Sequence, residues 1–81
     1  MKEKYVGKII FSFEDPSISR ILYQALYPET VKVPSHRSQY EISLKDNILI
    51  ITIFSKDLSS FRAATNTMLR LLRALEPLLK C

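Results

Sequence analysis

Residues Ile48 to Phe54 read ILIITIF, apolar almost throughout. A run of this kind suits the centre of a sheet, where neither face is left to water. The two segments able to flank it alternate instead. Val6 to Phe13 sets Ile9, Phe11 and Phe13 against Lys8, Ile10 and Ser12, and Ser38 to Lys45 sets Tyr40, Ile42 and Leu44 against Gln39, Glu41 and Ser43. Both have the period of a half-buried strand. Asp46 and Asn47 tolerate a tight turn, so the second and third segments form a β-hairpin. The strand order is then 1-3-2.

Between the first two strands, Asp15 is placed to cap a helix whose first position is Pro16, where the missing N–H is no loss. Ile18, Ile21, Leu22, Ala25 and Leu26 form its inward stripe, Pro28 ends it, and Arg20, Tyr23 and Tyr27 face outward. Pro28 to His36, PETVKVPSH, has two prolines and no periodicity. It reads as a surface loop carrying Lys32 and His36 toward Arg37. The last segment is the longest helical pattern. Leu58, Phe61, Thr65, Met68, Leu72, Leu75 and Leu79 recur at spacings of three and four, one line along a helix. Asp57 or Ser59 caps it, and Pro77 makes it kink or stop near Glu76, leaving Leu78 and Leu79 to pack as an extra turn.

These elements specify an α+β fold, a β-α-β-β-α two-layer sandwich. A three-stranded antiparallel-type sheet, order 1-3-2, carries both helices on the one face that right-handed crossover selects.

Such a sandwich leaves apolar surface over. Ala64, Leu71 and Leu78 widen the seam of the last helix on one side and Leu69 on the other, and a helix with so wide an arc usually touches two things. Beyond the wide side, Ala63, Thr67 and Ala74 are small enough to admit another helix at the usual interaxial distance of about 8–10 Å. Arg62, Asn66, Arg70 and Arg73 occupy the remaining face, where guanidinium groups suit carboxylates or phosphates. The plain reading is a solvated arginine face with alanine as a helix former. On the uncovered side of the sheet, Ile10, Ile48, Ile50 and Phe54 lie among Ser12, Ser43 and Thr52, a patch that a soluble monomer rarely leaves wet. Homodimerisation follows as an expectation, by sheet faces or by edge strands.

Composition narrows the chemistry. A chain of 81 residues is expected to be a single domain, 1–81, whose core is marginal alone. Of the net charge of +4, five basic against two acidic residues from Ser55 to Cys81 supply +3. That is milder than a nucleic-acid tail. The single cysteine, Cys81, permits no internal disulfide or multi-cysteine metal site, and the single glycine, Gly7, permits no glycine-rich phosphate loop. No apolar run is long enough for a signal peptide or a membrane span, so a soluble, cytoplasmic protein is expected. His36 has no second histidine or cysteine beside it, and Ser35 next to it does not make a catalytic pair. Glu14 and Asp15 are explained by helix capping. The expectation is a non-enzyme without metal or cofactor.

Three segments together resemble one family. They are Ile9 to Phe13 with Asp15-Pro16, then Val33-Pro34-Ser35 with Arg37-Ser38, and then Asp57 to Leu72, DLSSFRAATNTMLRLL. The last is the specific one: Asp-Leu, two small residues, a bulky apolar residue, Arg-Ala-Ala, an Asn and a Leu-Arg-Leu-Leu run. This is similar to the Pcc (polarised growth chromatin-associated controller) family, the small subunit of the KEOPS complex, related to the CTAG/LAGE proteins. The resemblance implies a non-catalytic subunit that dimerises and packs its helices on the threonylcarbamoyltransferase subunit. It would support threonylcarbamoyladenosine formation in tRNAs that read codons beginning with A. Arg62, Ala63, Asn66 and Arg70 match the motif and share a face with Thr67 and Ala74, the expected partner surface. Thr65 and Thr67 depart from the family, which often has aliphatic residues or Ser there.

The competing reading is a free-standing RNA-binding module. The chain has no Gly-x-x-Gly loop of the KH type, and Phe11 and Phe13 share the inward face, so no strand offers the aromatic pair of an RNP motif. An auxiliary tRNA contact through Lys32, Arg37 and Arg73, with Arg62 and Arg70, is compatible with the scaffold. A role in transcription gets no support from a basic recognition helix of the helix-turn-helix kind.

Overall fold

β3, Ile48–Ser55, lies in the middle of a three-stranded sheet, antiparallel to β1, Tyr5–Ser12, on one side and to β2, Ser38–Lys45, on the other. The computed structural model describes residues 4–31 and 37–79, with side chains as far as Pro77. Expectations placed on Lys32, Val33, Pro34, Ser35, His36 and Cys81 lie outside the described residues. Among the described residues three helices accompany the sheet: α1, Pro16–Val31, α2, Leu58–Ala74, and the four-residue α3, Glu76–Leu79.

The register explains why β3 had to be apolar. Ile51 stands between Ile9 and Ile42, Leu49 between Phe11 and Leu44, and Ile53 between Gly7 and Tyr40, all on the face that meets the helices. Leu49, Ile51 and Ile53 are sealed from solvent together with Leu22 and Leu26 of α1 and Met68 of α2. Burying each such side chain contributes about 1.5–3 kcal/mol relative to exposure. At Gly7 the missing side chain leaves room that the Phe61 ring fills: a Cβ there would lie 2.7 Å from Phe61 Cζ. The same ring meets Tyr5 at 6.2 Å between centroids.

The hairpin turn is the two residues Asp46 and Asn47, with Asp46 in the left-handed region at φ 56°. A short polar side chain is among the few that accept that conformation. The turn is tied to the rest of the fold. Asn47 donates its side-chain amide to the Phe13 carbonyl, the Phe13 N–H donates to the Asn47 carbonyl, and the buried Ser19 hydroxyl donates to the carbonyls of Pro16 and Asp46.

α1 departs from its expected pattern in three ways. Pro28 does not end it; the helix runs on to Val31. Pro28 is exposed, so the carbonyl one turn back that loses its donor can be solvated, and the hydroxyl of Thr30 reinforces the last turn by donating to Tyr27 O. The inward stripe is Ser19, Leu22, Leu26 and Thr30, while Ile21 and Ala25 are exposed. Serine and threonine bury here because each hydroxyl bonds to a carbonyl one turn back. Tyr23, expected outward, packs against the core and stands 5.8 Å from the Tyr27 ring.

α2 keeps its seam with two corrections. Ala64, Met68 and Leu72 are buried and Phe61, Leu71 and Leu75 pack around them. Leu58 and Leu69 are half exposed instead of belonging to the core. Leu58 is the first helical residue, ahead of Phe61, the first to meet the sheet, and Leu69 projects from the flank beyond Thr65. Asp57, not Ser59, is the cap. Two polar ties bind α2 to the sheet: the Tyr40 hydroxyl donates to Ala64 O at 2.7 Å, and Ser38 Oγ, 2.8 Å from Ser55 Oγ, also donates to Ser60 O. Regular helix ends at Ala74, and the Leu75 N–H is shared between the carbonyls of Leu71 and Leu72 before α3 makes the further turn that Pro77 permits.

Candidate interaction surfaces

Two surfaces are left over once the helices have covered one side of the sheet. The first is the outward face of α2. Arg62, Ala63, Asn66, Thr67, Arg70, Arg73 and Ala74 are all exposed on it, as their helical spacing requires. Asn66, Leu69, Arg70 and Arg73 surround a shallow depression, so Leu69 belongs to this surface. Reading Leu69 as core missed that; its place on the wheel beside Arg62 and Arg73 was the available signal. α2 contains three arginines and no acidic residue. None of the three has a carboxylate partner among the described residues.

The base of α2 is held by charge. Asp57 accepts from the Ser60 N–H at 2.8 Å and from Arg37 Nη1 at 2.9 Å. The Ser60 backbone N–H, then the Arg37 guanidinium, hold the Asp57 carboxyl below its ordinary pKa. Asp15 is lowered likewise at the start of α1, by the N–H and then the hydroxyl of Ser17. Burial pushes the Tyr40 phenol up.

Of the cations expected to meet tRNA, the two that are described, Arg37 and Arg73, stand apart. Arg37 is engaged at the start of α2 and Arg73 stands in its last turn, roughly 24 Å of helix away. Lys32 lies outside the described residues.

The second surface is the sheet's other side, which no described helix covers. Cross-strand pairing places Val6 beside Phe54, Ile50 between Ile10 and Ser43, and Ile48 between Ser12 and Lys45. Ile10 is 61% exposed, Val6 55% and Ile48 39%; Ile50 and Phe54 are half-buried by their neighbours. All four residues expected for a dimer face, Ile10, Ile48, Ile50 and Phe54, therefore share one side of the sheet. Val6 extends the patch and was overlooked, although its even spacing from Lys8 and Ile10 marks it. Thr52 at the centre is covered between Lys8 and Glu41.

A second depression lies between the end of α1 and the edge strand β2, with Tyr27, Val31 and Ser43 in its wall. Among the described residues no group of three or more His, Cys, Asp or Glu is placed to hold a metal ion, and no helix is long and apolar enough to cross a membrane.

The segments that build these surfaces are also those that match known proteins. The family model described as "Transcription factor Pcc1" matches residues 7–79. The KEOPS complex subunit Pcc1 of Pyrococcus abyssi (strain GE5 / Orsay) is 32% identical over 71 residues, covering 86% of this chain and 87% of that relative. The match runs from the first strand to the end of α3, through both surfaces and the core between them, and the chain belongs to the Pcc1 family.

Proposed function

We propose that this chain is a non-catalytic scaffold subunit of a KEOPS complex. It forms a homodimer through the uncovered sheet face and binds the threonylcarbamoyltransferase subunit with the outward face of α2, supporting threonylcarbamoyladenosine modification of tRNA in the cytoplasm. The observation that carries the reading is the coincidence of the family's specific segment, Asp57 to Leu72, with a helix whose outer face is basic, without a carboxylate partner among the described residues, and edged by half-exposed leucine. Its similarity to a KEOPS subunit over most of both chains supports the assignment to that assembly.

The family model's description points to transcription. The topology speaks against a helix-turn-helix reader: α1 and α2 are separated by the β2–β3 hairpin and both pack on the sheet, whereas such a reader needs a tight turn between two helices.

Co-expression with the transferase subunit tests the proposal. The wild-type chain is expected to co-purify with it, and Ala63→Trp, which places a large ring on the small-residue flank without touching the core, is expected to fold and dimerise but not to co-purify. Recovery of the complex with Ala63→Trp would move the contact off α2. Tight tRNA binding by the isolated chain, with a steep loss in salt, would favour the free-standing RNA-binding module instead.

A further inference from the structure

The depression on α2 has a composition that narrows what can enter it. Asn66, Leu69, Arg70 and Arg73 are spaced by three and four residues, so they form one continuous patch. Arg70 and Arg73 put two guanidinium groups on its rim, with no carboxylate on either among the described residues. Leu69, half in water, makes an aliphatic wall directly beside them. A phosphate backbone would satisfy the arginines and leave the leucine wet. A helix face serving only solvent commonly interleaves acids with its bases, and α2 carries no acid at all.

We propose that this depression is a socket for a single acidic side chain, glutamate in preference to aspartate, borne on a helix of the protein partner. The two methylenes of a glutamate cover Leu69 while its carboxylate takes the forked donors of Arg70 and Arg73, with the Asn66 amide as an additional donor. Ala63 and Ala74 on the neighbouring flank let the partner helix come close enough to seat it. Once that helix excludes water, the charge pair acts in a lower dielectric than at the bare surface and fixes the register of docking. The inference rests on the assignment of α2 as the transferase-binding surface.

The test is titration of the purified transferase subunit with the wild-type chain and with Arg70→Gln, Arg73→Gln, the double variant and Arg62→Gln, at low and high salt. Circular dichroism establishes that each is folded. The double variant is expected to weaken binding at least about 30-fold at low salt. The gap should narrow at high salt, and Arg62→Gln, outside the depression, should cost far less. A double variant that binds like wild type overturns the socket while leaving α2 as the surface. So does an Arg62→Gln loss equal to that of the double variant, since it would mean a diffuse field. Loss of tRNA binding with transferase binding intact would assign the arginines to phosphate. A wild-type chain that does not bind the transferase at all removes the underlying assignment, and that is read before any variant.

Discussion

The buried hydroxyl of Thr65 is an energetic cost carried at the edge of the core, and removing it should stabilise the fold. Thr65 sits on the inner seam of α2 between Phe61 and Leu69, and its Oγ1 is buried with no hydrogen-bond partner among the described residues. Leaving a buried polar atom unsatisfied costs about 1–3 kcal/mol. Thr65→Val replaces the hydroxyl by a methyl of nearly the same size, opens no cavity, and changes helix propensity little. With part of the penalty already relieved by local adjustment, the variant should gain about 1 kcal/mol, a rise in Tm of about 4–8 °C for a domain of this size. Thr67→Val, on the exposed face of the same helix, controls for composition and should change Tm little. Calorimetry at one fixed protein concentration is the assay, because a dimer's Tm moves with concentration. If Thr65→Val is neutral or destabilising while Thr67→Val behaves as stated, the hydroxyl is satisfied in solution and the energetic reasoning fails.

Gly7→Ala should destabilise by about 1 kcal/mol in urea unfolding, near the lower end for overpacking because the half-buried Phe61 ring can give way; no loss would mean the ring does not fill that space. Tyr40→Phe removes the bond to Ala64 O and should lower stability by about 0.5–1.5 kcal/mol, with the sheet intact by circular dichroism. Asp15 and Asp57 have folded pKa values below the ordinary 3.8. Their contribution is therefore present above that value and disappears as pH falls through the lowered ones. Acid unfolding followed by ellipticity should accordingly flatten below about pH 4 in Asp57→Asn, and an unchanged acid limb would count against the cap. Ile50→Lys, on the uncovered sheet face, should give monomers by light scattering with helical content retained; an unaltered mass would place the dimer contact elsewhere.

The sheet was legible because its residues report their surroundings directly. β3 is apolar on both sides, β1 and β2 alternate, and the observed register pairs the residues that alternation assigns to one face. α1 was misphased for a physical reason. Ser19 and Thr30 count as polar in any hydropathy pattern, yet each can bury because its hydroxyl bonds to a carbonyl of its own helix. Exposed Pro28 looked like a stop because propensity says nothing of a solvent-facing carbonyl. On α2 the spacing placed Arg62, Asn66, Arg70 and Arg73 on one outward face, but Leu69 could not be moved from core to surface without knowing how far the sheet extends beneath it. The ion pair of Arg37 with Asp57 joins residues twenty positions apart, which no local pattern encodes.

The ladder between β1 and β3 runs from Ser12↔Ile48 to Tyr5↔Ser55, separations of 36 to 50 residues, whereas β2 meets β3 across a two-residue turn. A strand made first is thus the last to find its neighbour. At synthesis rates of about 5–20 residues per second, β1 leaves the ribosome roughly 2–10 s before β3 exists to receive it. Through that interval Ile9 and Phe11 have no lasting cover, so the newborn chain's exposure to aggregation and chaperones is set by topology rather than by final stability.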